Sequence, residues 1–295
     1  MTHLLTVSTP SSLQFLPDPF PEPVPIRLYL KRDDELHPAI SGNKWRKLKY
    51  NLAEARRLHQ QSLLTYGGAW SNHIYAVAAA GKEFGFSTIG VIRGEDHRER
   101  DTPTLAFARQ QGMHLHFITR QQYRNRTDPV FQQELQHRFG IYYELPEGGT
   151  NELAIRGTAE IIPEILEQLG RRPDAVCCPV GTGGTLAGLE RAAPEGVSVL
   201  GFPALKRFIS SDHPGAQLIT DYHFGGYAKT TPDLLTFIRT FEQRTGVRIE
   251  QVYTGKMLYG IYDLARHGFF RPDATVVAVH TGGLQGRSAS LDAND

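Results

Sequence analysis

The sequence predicts an α/β fold built on mostly parallel sheets. Three observations point there. Short apolar runs alternate with helix-period segments along the chain. The later runs, at about residues 174–180 and 275–279, are continuous in Val, Ala and Cys, as strands covered on both faces are. Glycine-rich turns follow three of the runs, Gly67-Gly68, Gly181–Gly184 and Thr281-Gly282-Gly283, at the strand ends where open α/β sheets bind ligands. The length of 295 residues, set against roughly 150 per domain, allows two domains or one large one.

The elements follow in order. Residues 17–25 are Pro-rich and read as an extended entry strap. A helix is expected from about Arg46 to Leu58, then a strand at 63–66 and a helix over 71–84. A strand at 88–92 precedes a helix through about Gln111, which Thr102 caps and Pro103 opens. A strand at 115–119, a polar helix over 128–139 and a short extended piece at 142–145 complete a small βαβ module. The second half repeats the rhythm: one helix over 152–169, a strand at 174–180, a helix through about Ala192 and a strand at 197–202. Helices over 232–245 and 256–267 then flank Tyr253, and the last strand covers 275–279. The tail after Arg287 is polar and expected to fray.

Composition narrows the function. With 40% hydrophobic residues the chain can bury a core. Lys plus Arg is 32 against 31 Asp plus Glu, a balance without the basic excess of a nucleic-acid binder. No apolar run approaches the roughly 18–20 residues of a membrane span, and residues 1–20 lack the pattern of a secretory signal. The two cysteines, Cys177 and Cys178, are adjacent in an apolar run and read as a buried strand in a reducing compartment. A cytoplasmic protein is expected. His114 and His116 share a strand face without a third ligand, so no metal site is assigned, and His280 is read as packing.

Several segments could carry chemistry. Gly181-Thr182-Gly183-Gly184-Thr185 joins a strand to a helix, so its backbone N–H groups suit a phosphate; a tight turn without ligand has the same signature. It is neither a P-loop nor a full dinucleotide fingerprint. Lys44 follows the turn Ser41-Gly42-Asn43, and a Lys against an apolar surface can have a lowered pKa and bond covalently to a carbonyl. A lone Lys in a basic cluster is more often solvated surface. Trp70-Ser71-Asn72-His73 offers polar side chains, of which Ser71 or Asn72 would also serve as the cap of the following helix. Tyr227 and Tyr253 are candidate acids or bases if a cation lies near.

Taken in order, Ser41-Gly-Asn-Lys44-x-Arg46-Lys47-Leu48, Gly67-Gly68-x-x-Ser71-Asn72-His73, Gly181–Thr185, Tyr253-Thr254-Gly255-Lys256 and His280–Gly283 resemble one family closely. It is the pyridoxal 5'-phosphate (PLP) enzymes grouped as D-cysteine desulfhydrase and 1-aminocyclopropane-1-carboxylate (ACC) deaminase. The resemblance spans about residues 27–287. It implies the tryptophan synthase β-like fold, fold type II: two α/β domains with the cofactor in the cleft between them. The large domain would take 1–48 and 157–295, the small inserted one 49–156. It further implies a homodimer acting on a small amino acid. Lys44 would carry PLP through its ε-amine, and Gly181, Thr182, Gly183, Gly184 and Thr185 would cradle the phosphate. Asn72 would bond the ring hydroxyl oxygen, with Ser71 and His73 on the substrate carboxylate side. Tyr253 and Tyr227 would line the reacting face, and Thr254 or Thr281 would approach the pyridine nitrogen. The segment 202–224 matches the family poorly and is expected to shape the substrate pocket.

The substrate turns on one position. ACC deaminases carry Glu after the Tyr of the Tyr-x-Gly-Lys motif; this chain carries Thr254. A carboxylate keeps the pyridine nitrogen protonated and deepens the electron sink, whereas a hydroxyl leaves it nearer neutral. ACC has no α-proton and no β leaving group, so it calls for the deeper sink. D-Cysteine has both. The reading is α,β-elimination from D-cysteine to pyruvate, sulfide and ammonia. The alternatives are ACC deamination to 2-oxobutyrate, serine dehydratase or racemase activity, and PLP binding without turnover.

Overall fold

A computed structural model describes residues 9–98, 100–206 and 213–292. The start of the N-terminal leader reading, residues 207–212 of the proposed pocket segment and the last three tail residues lie outside the described residues. In chain order, β1 (Leu13–Leu16) and β2 (Ile26–Lys31) precede α1 (Asn43–Arg57), β3 (Ser62–Gly68), α2 (Asn72–Phe84), β4 (Ser87–Arg93) and α3 (Pro103–Gln110). Then come β5 (His114–Ile118), α4 (Arg120–Arg124), α5 (Pro129–Phe139), β6 (Tyr143–Leu145), α6 (Glu152–Ala159), α7 (Ile161–Leu169) and β7 (Ala175–Val180). The chain ends through α8 (Gly184–Ala192), β8 (Ser198–Pro203), β9 (Gln217–Leu218), α9 (Pro232–Thr245), α10 (Thr254–Arg266) and β10 (Ala274–Val279).

Two compact units result. One holds Lys44–Ala154, the other the described residues up to Asn43 and from Ile155 onward. The first unit has a four-stranded sheet of order β5-β4-β3-β6, every pair parallel. The second has a six-stranded sheet of order β1-β2-β10-β7-β8-β9, in which only β1–β2 is antiparallel. Its central strands β7 and β10 are buried at every residue, which explains their unbroken apolar runs. Cys177 and Cys178 are unbridged in β7, and burial pushes the Cys177 thiol well above its ordinary range.

Local chemistry sets the helix starts. Thr102, Asp128 and Thr231 each accept a backbone N–H in the first turn, and Pro follows each at N1. Two starts differ from expectation. Helix α1 begins at Asn43 rather than near Arg46, because Gly42 (φ 64°) turns the chain just before it. Helix α10 begins at Thr254 rather than Lys256, because Glu250 caps it from below. The single helix expected over 152–169 is two, α6 and α7, meeting at Glu160. Pro163 accounts for the break: it lacks an N–H and its ring crowds the carbonyl of Ala159. Strand β2 lies inside the sheet but was not expected, because its buried Leu28 and Leu30 alternate with Arg27 and Tyr29 and leave no continuous run.

Candidate active site

In the first unit, Lys44 is the second residue of α1, inside the helix rather than on the turn ahead of it. Its ammonium is lowered to about 8 because the surrounding protein desolvates it, although the side chain keeps some exposure. Lys47, one turn on and almost fully buried, donates to Gly148 O at 3.0 Å and Thr150 Oγ1 at 3.2 Å.

Strand β3 ends in Gly67-Gly68, and α2 starts immediately after Ser71. Ser71 is the helix cap: its Oγ accepts from His73 N and Ile74 N. A Cβ on Gly67 would stand 2.8 Å from Ser71 Oγ, so only glycine admits this turn. Ser71, Asn72 and His73 therefore sit together at one strand end. The His73 ring is buried, with Nε2 2.9 Å from Thr65 Oγ1. Thr65 gives its only hydroxyl hydrogen to Leu145 O at 2.9 Å. Thr65 must then accept from His73, so Nε2 carries the proton and Nδ1 is a bare lone pair. Nδ1 is buried with no hydrogen-bond partner. Burial, then the nearby charges of Lys44 and Lys47, holds the imidazole well below its usual pKa.

In the second unit, β7 runs into Gly181-Thr182-Gly183 and then α8. Gly183 takes φ 87°, which suits glycine, and no side chain caps the helix. Helix N-terminal N–H groups without a capping side chain suit an anion. Thr185 Oγ1, almost fully buried, accepts from Asn43 Nδ2 at 2.9 Å. Asn43 N in turn donates to Thr281 O at 3.3 Å. Gly42 packs so closely that a Cβ there would lie 2.0 Å from Thr281 O. His280, read from sequence as packing only, does more. Its Nδ1 accepts from Gly282 N at 3.2 Å and its Nε2 meets Arg248 O at 2.8 Å, which holds the Thr281–Gly283 turn. His114 and His116 each set a ring edge against Phe139.

The two tyrosines meet in this unit. Tyr227 and Tyr253 pack edge to face with centroids 6.1 Å apart. A Cβ on Gly181 would reach the Tyr253 ring at 3.4 Å, so the glycine loop and Tyr253 are neighbours. Thr254 opens α10, is fully buried, and its hydroxyl has no hydrogen-bond partner. Sequence reasoning missed Glu250, whose carboxylate accepts from Val252 N, Tyr253 N and Thr254 N at 2.6–3.0 Å. Burial still raises it to about 7. An acidic residue just ahead of a helix start was the available signal. From the segment expected to shape the pocket, Tyr222 and Phe224 pack on Tyr259 of α10, and Tyr222 donates to Asp263 Oδ2 at 2.8 Å.

Within the first unit an amine of lowered pKa suits a carbonyl; within the second an uncapped helix start suits a phosphate, and a buried hydroxyl lacks a partner. The sequence profile described as pyridoxal-phosphate dependent enzyme matches residues 9–282. The chain belongs to that family. PLP is its cofactor, and it is a PLP-dependent enzyme. The bifunctional D-cysteine desulfhydrase/ACC deaminase of Arabidopsis thaliana, a mitochondrial protein, is 30% identical over 90% of this chain and 74% of its own length. The D-cysteine desulfhydrase of Klebsiella pneumoniae is 27% identical over 95% of this chain and 94% of its own. A crystal structure of an ACC deaminase homologue superposes with a TM-score of 0.83 at 27% identity, covering 97% of this chain and 93% of that one. This PLP-dependent enzyme thus has the α/β fold of fold type II, with mostly parallel sheets. Among its described residues no helix is long and apolar enough to cross a membrane.

Proposed function

We propose that this PLP-dependent enzyme eliminates the thiol of D-cysteine, which with one water gives pyruvate, sulfide and ammonia. One observation carries the choice of substrate: the buried, unpartnered hydroxyl of Thr254, at the position where ACC deaminases carry Glu. We assign that hydroxyl, rather than Thr281, to the pyridine nitrogen of the cofactor. Bound PLP supplies an electron sink for charge that develops at the substrate α-carbon. A hydroxyl partner moderates the sink, which suffices where an α-proton and a thiol leave.

The residues have the following roles. Lys44 would hold the cofactor through Nζ, and its amine would move the α-proton. The N–H groups and hydroxyls of Gly181, Thr182, Gly183, Gly184 and Thr185 bind the phosphate. Asn72 bonds the ring hydroxyl oxygen. Ser71 accepts from two N–H groups of α2 and keeps its own hydrogen for the substrate carboxylate. His73, neutral with Nδ1 bare, accepts a hydrogen bond on that side. Tyr253 and Tyr227 orient the substrate and move protons at its β-substituent.

The second reading is ACC deamination to 2-oxobutyrate, favoured by the names of the Arabidopsis relative and of the superposed homologue. The test is the absorption spectrum of the purified holoenzyme, followed by sulfide and pyruvate assays with D-cysteine. Sulfide release from the D isomer supports elimination. Turnover of ACC or serine without D-cysteine overturns the substrate. No turnover of any of these despite bound PLP overturns both substrate readings. We also propose a cytoplasmic homodimer. The unbridged pair Cys177 and Cys178 supports the reducing compartment, and light scattering in solution tests the dimer.

A further inference from the structure

Two ionisable side chains at the start of α10 bond the backbone around the paired tyrosines. Glu250 lies below its start and Lys256 in its first turn, both almost fully buried. Glu250 Oε1 accepts from Tyr253 N and Thr254 N, and Oε2 from Val252 N and Tyr253 N. A carboxylate matches this set because both oxygens accept. Lys256 Nζ donates to His223 O and to Gly226 O, each at 2.8 Å. Those carbonyls bracket the turn 223–226, closed by Gly226 N on His223 O at 3.0 Å. The turn is conformationally unfavourable. Phe224, Gly225 and Gly226 have φ of 52°, 91° and 119°, and Ala228 adds 55°. Left-handed backbone at Phe and Ala does not persist on local preference alone. Tyr227 follows directly and is exposed.

We infer that Lys256 and Glu250 are positioning residues that place Tyr227 and Tyr253 edge to face, Lys256 by clamping the 223–226 turn and Glu250 by capping the backbone of Tyr253. The inference rests on the proposed placement of those tyrosines at the reacting face. Lys256 is lowered to about 8 by burial, as a dry clamp would be. The fourth residue of the Tyr-Thr-Gly-Lys motif thereby has a task separate from cofactor binding.

The test combines hydrogen exchange with kinetics on holoenzyme. Lys256→Met keeps the apolar stem and removes all three donors. Amides of residues 223–229 then exchange about tenfold faster or more, those of 252–254 stay as in wild type, and the bound-PLP absorbance persists. Turnover number falls on the order of 100-fold, the scale of an ångström of misplacement. In a Tyr227→Phe background the same change costs less than about threefold, because the residue Lys256 acts through is already impaired. Glu250→Gln shows the opposite exchange pattern, fast at 252–254 and unchanged at 223–229. If Lys256→Met does not fold, Lys256→Leu, which keeps apolar bulk and has no donor, is read the same way. Unchanged exchange at 223–229, or an equal kinetic loss with and without the Tyr227 hydroxyl, overturns the inference. Should wild type turn over neither D-cysteine nor ACC, the functional reading falls alone, and the exchange pattern still decides the clamp.

Discussion

Gly42→Ala isolates the closest backbone approach in the second unit. The residue immediately precedes Asn43 and Lys44, and it carries two separable penalties. Its φ of 64° lies in the left-handed region, which costs a residue with a Cβ about 1–2 kcal/mol. The new Cβ would also lie 2.0 Å from Thr281 O and 2.6 Å from Gly282 N. These are backbone atoms that cannot rotate away, and forced overlap of this kind costs roughly 1–3 kcal/mol. The total is about 2–5 kcal/mol. Gly196→Ala is the control: its φ is 85°, but a Cβ there meets nothing within 4 Å. Both changes remove similar freedom from the unfolded chain, so that effect cancels in the comparison. Urea unfolding with a common m-value should therefore place Gly42→Ala below Gly196→Ala by about 1–3 kcal/mol. The overlap also pushes Asn43 off Thr185 and Thr281, so Gly42→Ala should retain less PLP after dialysis while Gly196→Ala retains it normally. Equal stability losses in the two variants would refute the close approach of Gly42 to Thr281.

Three further outcomes follow from the site. The unprotonated amine of Lys44 is the nucleophile toward the PLP aldehyde, and its pKa lies at about 8 rather than 10.5; the rate of cofactor attachment to apoprotein should rise with pH and level off just above 8, and a rate still climbing at pH 10 contradicts a desolvated Lys44. Thr254→Val removes a buried hydroxyl that has no partner, so the apoprotein should be unchanged or more stable by about 1 kcal/mol, while PLP retention and sulfide release drop; a destabilised apoprotein would mean the hydroxyl is already bonded. His73 is neutral in the fold well below 6.5 while the unfolded chain takes up its proton, so the unfolded state binds more protons and stability falls as pH drops below 6.5. Ring NMR of His73 showing titration near 6.5 would exclude the buried Nε2–H form.

Much of the candidate site was legible because its parts are local. Ser71 or Asn72 reads as a cap from its place before an apolar-periodic run, and Ser71 is the one. The glycines of 181–184 read as a strand–helix turn, and Gly183 takes the left-handed conformation such a turn requires. Pro163 leaves no mark on the apolar pattern of residues 152–169, because the helical period runs through it unbroken. Glu250 and Lys256 were not assigned tasks, since a carboxylate and an ammonium look the same in sequence whether solvated or buried against backbone.

What the sequence determined by itself is the class of fold, the order of most of its elements, the Thr102 cap and the family, all of which rest on residue type and spacing over a few positions. The tertiary structure decided protonation and contact. Lys44 has a lowered amine, His73 a bare Nδ1 and Thr254 an orphan hydroxyl because of groups that pack around them. Gly42 meets Thr281, and Lys256 meets His223, across long stretches of chain. Desolvation and hydrogen bonding sum over neighbours in space, and only the folded chain specifies those neighbours.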